Sequence, residues 1–212
     1  LGVPQPTGFP LYCLAGKVMS LWPGVDPAVA VNALSALSTA VCAWAIHRLL
    51  ESRVGGPWAL VGALVYATGH TPWSQATIAR TYALTQAMVA LQLVLVDRLH
   101  RSPRDRAFLA LVLLASAGLG THLLSILLTP TLVPLWWEQG ARRRMAAIGL
   151  AALGLGLYAY LPLRSATTPY NVYGPVQTTG EIVDYLTQRR YRTKQFSRTP
   201  ENLRAAVAGM AD

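Results

Sequence analysis

Apolar residues in this chain run in long unbroken stretches rather than on one stripe of a helix or in strict alternation, and the stretches approach the roughly 20 residues that cross a bilayer core. The clearest are 29–50 (VAVNALSALSTAVCAWAIHRLL) and 82–99 (YALTQAMVALQLVLVDRL). Trp22, Pro23, Asp26 and Pro27 precede the first as loop and helix-start signals. A third stretch, 57–71, opens at Gly55-Gly56-Pro57 and either stops short or continues towards Trp73. The apolar run 107–137 exceeds one ordinary span. It is interrupted at Gly118-Leu119-Gly120-Thr121-His122 and again at Pro130 and Pro134, so it divides into two short segments meeting near Gly120. The last stretch, 145–163 (MAAIGLAALGLGLYAYLPL), is rich in small residues that permit close helix packing in lipid. The pattern predicts an all-α polytopic transmembrane bundle of about six membrane segments with short interfacial helices.

Beyond Leu163 the chain turns polar. Thr178-Thr179-Gly180-Glu181 has capping-box spacing ahead of the amphipathic IVDYL, and Thr199-Pro200-Glu201 signals another helix start. The expected organisation is a membrane core over 1–163 and an extracytoplasmic or interfacial helical segment over 164–212. The opening LGVPQPTGFPLY lacks the features of a signal peptide and an initiator Met, so the chain reads as an internal fragment.

Composition agrees with a membrane setting: 53% of residues are hydrophobic and only 13% charged, about half the charge share usual in soluble domains. The 18 Lys+Arg against 9 Asp+Glu sit in short clusters between apolar runs, a placement that suits topology rather than nucleic acid. With six segments, Arg48 and Arg53, then Arg98, Arg101, Arg104 and Arg106, then Arg142, Arg143 and Arg144 all fall on one face. The positive-inside rule makes that face cytoplasmic. Residues 1–28, a loop from Thr68 to Thr81, the turn at His122 and everything after Leu163 then face outward. Two cysteines, Cys13 and Cys42, supply no disulfide framework.

The unusual polar residues collect on that outward face. PQPTGFPLY, with Gln5 and Tyr12, is expected to follow a fixed non-helical path, either as a rigid loop or as a substrate-lining one. Trp73 and Tyr82 suit an aromatic belt; Arg80 suits either phosphate binding or snorkelling to water. His122 is read either as a hydrogen-bonded helix-terminus residue or as a substrate contact. Arg164 reads by default as an interfacial stop signal. Arg189, Arg190, Arg192 and Lys194, interleaved with Tyr191 and Phe196, read as a solvated helix face before a headgroup site. His47, His70 and His100 have no zinc-ligand spacing. Asp97, at a basic end, is the one acid within a span, which counts against ion-coupled transport, and no nucleotide-binding or hydrolase motif occurs.

Four segments, LGVPQPTGFPLYCLAGK, WSQATIARTYALT, GLGTHLLSILLTP and LPLRSATTPYNVYGPVQTTGEIVDYLTQRRYR, together resemble the bacterial membrane family related to protein O-mannosyltransferases, within the GT-C glycosyltransferase superfamily. They span almost the whole chain in order. The resemblance implies a GT-C fold in the bacterial inner membrane. It implies transfer of a mannose-like sugar from a polyprenyl-phosphate donor to a protein or glycan hydroxyl on the extracytoplasmic face. It places the acidic general base upstream of Leu1, so no catalytic residue is assigned within this chain. No cofactor is implied, and a divalent-metal requirement stays open. The family usually has His where this chain has Gln5, and Glu where it has Arg80. His122, Arg164, Asn171 and Tyr173 match positions the family keeps and become candidates for the donor-phosphate and sugar pocket, with Arg164 first and Arg80 second for the leaving phosphate. Gln5, Tyr12, Trp73 and Tyr82 complete the candidate donor-binding set. The alternative is a non-catalytic membrane protein of the same fold acting in lipid binding or envelope assembly.

Overall fold

The computed structural model describes residues 8–102, 106–167 and 175–189, and every regular element among them is helical. Two compact units divide the described chain: Phe9–Ala159, and Gly8 with the residues from Tyr160 onward.

In the first unit, α1 (Pro10–Met19) and α2 (Pro27–Val54) both open on a proline, whose missing N–H costs nothing in the first turn. The Asp26 carboxylate caps α2 by accepting from the amides of Ala28 at 2.8 Å and Val29 at 3.4 Å. Gly55, at φ 83°, ends α2 and reverses the chain into α3 (Gly56–Thr68). Gly69 is extended and separates α3 from the short α4 (His70–Ala76), after which α5 (Thr81–Arg101) begins. Next come α6 (Ala107–Leu119), a 3-10 helix (Leu123–Thr131), α7 (Leu132–Trp137) and α8 (Ala141–Gly156). Pro130 lacks an amide to donate, and the segment carrying it is 3-10 rather than α.

Contacts in register show how these helices run. The Ser35 hydroxyl donates to the Ile78 carbonyl (2.8 Å), Cys42 Sγ approaches the Gln86 carbonyl (3.7 Å) and Arg53 meets Asp97 (2.6 Å). The partners advance together, so α2 and α5 are parallel. α3 runs against them, with the Tyr66 hydroxyl donating to Gln86 Oε1 at 2.6 Å. Cys42, Ala45 and Ala90 form the core there. In the other half, Leu99, Phe108, Leu135 and Ala147 share one cluster, whereas Gly154 meets Ser116 and Ala117 further along. Helices α6 and α8 are therefore parallel, and the chain between them runs back from a reversal at Gly120–His122.

The reversal at Gly120 is where the sequence splits its long apolar run. Three helical stretches are long and apolar enough to cross a membrane by length and composition, namely Pro27–Val54, Thr81–Arg101 and Ala141–Thr167. Gly56–Thr68, Ala107–Leu119 and Leu123–Trp137 are shorter apolar helices. Large apolar side chains face outward along them, Trp58 and Leu127 each being 70% exposed, as expected where the surrounding medium is lipid. The geometry gathers Arg48, Arg53, Arg98, Arg101, Arg106, Arg142, Arg143 and Arg144 at one end of the unit; Arg104 lies outside the described residues. The 2.6 Å pairs of Asp97 with Arg53 and Arg101 tie α2 to α5 at that end.

Two segments expected as loops are partly helical. PQPTGFPLY, expected to be non-helical, is helical from Pro10, where α1 starts. The stretch from Thr68 to Thr81 includes α4, and the third apolar segment stops at Thr68 instead of running to Trp73.

The second unit contains α9 (Tyr160–Thr167) and α10 (Thr179–Leu186). The capping box foreseen at Thr178 is formed: Thr178 Oγ1 accepts from the Glu181 amide at 3.3 Å, and Glu181 Oε2 accepts from the Thr178 amide at 2.9 Å. The helix start at Thr199-Pro200-Glu201 and residues Arg190, Tyr191, Arg192, Lys194 and Phe196 lie outside the described residues.

Candidate functional site

The end of the first unit opposite the basic cluster is organised around the Gly118–His122 turn. α6 closes on amide bonds from Gly120 to the Ala117 carbonyl and from Thr121 to the Gly118 carbonyl, both 2.9 Å, and the buried Thr121 hydroxyl donates to the same Gly118 carbonyl at 2.7 Å. The Gly120 carbonyl, turned out of the helix, accepts the Leu11 amide of α1 at 2.9 Å. That amide is one of the donors a helix start leaves without an internal partner. A Cβ at Gly120 would lie 3.1 Å from Leu11 Cβ and 3.2 Å from Leu11 N, so the close approach depends on glycine. Tyr158 adds a hydroxyl bond to the Leu119 carbonyl at 2.8 Å.

This docking brings Phe9 onto His122. Their rings stack with centroids 5.8 Å apart and planes 19° from parallel, and Tyr82, in the first turn of α5, contacts the same imidazole at 5.9 Å and 37°. Phe9 holds a left-handed backbone, φ 40° and ψ 49°. The conformation costs a non-glycine residue about 1–2 kcal/mol, and Pro10 behind it disfavours the right-handed alternative. The strain sits where an aromatic ring is brought against a titratable one.

His122 caps the 3-10 helix, its Nδ1 accepting the Leu124 amide at 3.2 Å. That assignment leaves the proton of the neutral ring on Nε2, a hydrogen-bond donor. Burial pushes the imidazole pKa below its usual 6.5, so the neutral form prevails at pH 7. The helix-terminus role read from sequence is thus present, and it leaves Nε2 available for a second one.

The remaining candidates scatter. Tyr12 is on α1, its buried hydroxyl without a hydrogen-bond partner among the described residues and its pKa raised by burial. Trp73 is exposed on α4, where Gln75 Oε1 is buried and equally unpartnered among the described residues. Arg80 is the exposed N-cap residue of α5, two positions before Tyr82. Arg164 is in the last turn of α9, with Nη1 3.5 Å from Thr167 Oγ1. Gln5, Asn171 and Tyr173 lie outside the described residues. Tyr82 and His122 are therefore the two candidates in demonstrated contact. Phe9 was missed; the signal for it is an aromatic wedged between Gly8 and a helix-starting proline.

Among the described residues no group of His, Cys, Asp and Glu is placed to hold a metal. Residues 1–144 match the family model described as the protein O-mannosyl-transferase TMEM260 N-terminal domain. The chain belongs to that family. No curated protein and no solved structure matches it. The TMEM260 N-terminal domain match takes in α1 through the start of α8, and so the whole of the Phe9–His122–Tyr82 arrangement; Arg164, Asn171 and Tyr173 fall beyond it.

Proposed function

We propose that the full-length protein is a GT-C mannosyltransferase of the bacterial inner membrane, moving a mannose-like sugar from a polyprenyl-phosphate donor to a protein or glycan hydroxyl on the extracytoplasmic face. The observation that carries the proposal is the imidazole of His122 in contact with both Phe9 and Tyr82 in a chain of a protein O-mannosyl-transferase family. The arginine clusters gather at the opposite end, which under the positive-inside rule turns His122 outward.

In the proposed reaction the acceptor oxygen attacks the sugar C1, a new C1–O bond forms, and the bond from C1 to the lipid phosphate breaks. The acceptor proton goes to the carboxylate base that the resemblance implies. His122 Nε2–H donates a hydrogen bond to a donor oxygen, and the faces of Phe9 and Tyr82 flank the sugar's apolar side. Arg164, with Arg80 second, neutralises the departing phosphate. The resemblance also offers Gln5, Tyr12, Trp73, Asn171 and Tyr173 as candidates for donor binding.

The experiment is transfer of label from polyprenyl-phosphate mannose into protein or glycan in membranes containing the full-length protein. Label should move, and Arg164→Ala should slow it. No transfer from any polyprenyl-linked sugar by a folded protein would leave the alternative, a non-catalytic membrane protein of the same fold.

A further inference from the structure

At the arginine-rich end, α6 and α8 begin side by side and leave an open cleft of about 960 Å³. Among the described residues Arg106, Arg142 and Arg143 line it, with Trp137, Leu109 and a single carboxylate, Glu138. One wall is held in place by Arg144. Its guanidinium donates to the carbonyls of Trp136 at 3.1 Å and Trp137 at 3.0 Å and lies 5.5 Å from the Trp137 ring centre. Arg143 donates to Gln139 Oε1 at 3.0 Å.

Three features select the ligand. The cleft cations are all arginines, whose planar fork matches phosphate oxygens bidentately. They outnumber the acidic lining, so an anion is favoured. The cleft also carries outward-facing apolar surface: Trp137, which lines it beside Leu109, is 69% exposed. A soluble phosphate would use the arginines alone, whereas a lipid uses both the cations and the apolar flank at Trp137.

We infer that this cleft binds the phosphodiester headgroup of an anionic membrane phospholipid. It is separate from the His122 site, since α6 spans roughly 20 Å between them at 1.5 Å per residue, and the inference rests on the apolar helices lying in a bilayer.

The test uses the delipidated full-length protein in neutral detergent, titrated with phosphatidylglycerol or phosphatidylcholine and followed by native mass spectrometry. Phosphatidylglycerol should be retained selectively. Each cleft guanidinium is expected to contribute about fivefold, so Arg106→Gln with Arg142→Gln should weaken retention about twenty-fivefold. Arg48→Gln, which removes a cation at the same end but outside the cleft, should leave retention unchanged. Glu138→Gln should strengthen it, a gain that no folding defect imitates. Equal retention of both lipids, or an equal loss in Arg48→Gln, would overturn the inference. Displacement of the lipid by millimolar inorganic phosphate would assign a soluble-anion site instead and overturn it too.

Discussion

Phe9 and His122 stack at 5.8 Å across the junction between the N-cap of α1 and the turn that closes α6. The pairing depends on two local devices: a left-handed Phe9 before Pro10, and a glycine at 120 whose carbonyl receives the Leu11 amide. The backbone around the ring is thereby held by contacts within the chain itself.

Replacing His122 separates its two roles. Asparagine is a good N-cap, so His122→Asn keeps an acceptor for the Leu124 amide while removing Nε2–H and the stack on Phe9. Sugar transfer by the full-length protein should fall about a hundredfold, the usual cost of a lost oxyanion donor, with thermal stability close to wild type. His122→Ala should lose both. Wild-type turnover in His122→Asn would reduce the histidine to a cap.

Acid should loosen the same turn. The His122 pKa lies below 6.5 in the folded protein because burial disfavours the charged ring, so the unfolded chain takes up the proton first. The contribution to stability is fully present above about pH 6.5 and is lost as pH falls towards the folded value. Protonated Nδ1 also stops accepting the Leu124 amide. Melting curves should shift down below pH 6.5 in the wild type, and the part due to His122 should vanish in His122→Asn. An identical pH profile in both proteins would remove the link.

What the sequence discloses follows how local each cause is. The start of α2 at Asp26-Pro27 and the capping box at Thr178 are legible because cap and amide lie within three residues. The reversal at Gly120 is legible because glycine and histidine interrupt an otherwise apolar run. α1 and α4 are not: Pro10 and Pro72 read equally well as loop residues and as helix-starters, and only the packing of their neighbours decides. The Phe9–His122 contact is illegible for a different reason, since neither residue is unusual alone and a positive φ at phenylalanine leaves no mark in composition. Gln92 shows the same limit. It lies in a continuous apolar pattern, yet its fully buried amide approaches Gly118 next to Ser125, without a hydrogen-bond partner among the described residues.

The double pairing of Asp97 should be worth little in itself. Its two carboxylate oxygens each meet a guanidinium at 2.6 Å, but the Arg53 and Arg101 side chains are more than half exposed. Asp97→Asn should therefore cost about 1 kcal/mol or less at low salt, and the difference should close near 1 M salt, where screening acts within about 3 Å. Denaturation in detergent at the two salt concentrations measures this. A large, salt-independent loss would mean that the carboxylate is a buried structural centre.

The glycines of α8 are not equivalent. A Cβ on Gly154 would lie 2.1 Å from Ser116 Oγ and 2.8 Å from the Ala117 backbone nitrogen, and although the hydroxyl can rotate away, the backbone of α6 cannot yield without separating the helices. Cβ atoms on Gly149 and Gly156 would meet nothing within 4 Å. Gly154→Ala should destabilise the fold by roughly 1–3 kcal/mol, the range for overpacking a close contact. Gly149→Ala removes only backbone freedom from a helix interior and should be neutral or stabilising, by up to about 1 kcal/mol. The comparison is made by thermal unfolding of the two variants in the same detergent. Equal effects would show that the small residues of α8 serve lipid contact or sequence background rather than the packing of α8 on α6. A loss confined to Gly154→Ala assigns the close approach to that one position, where the absent side chain lets two parallel helices touch backbone to backbone.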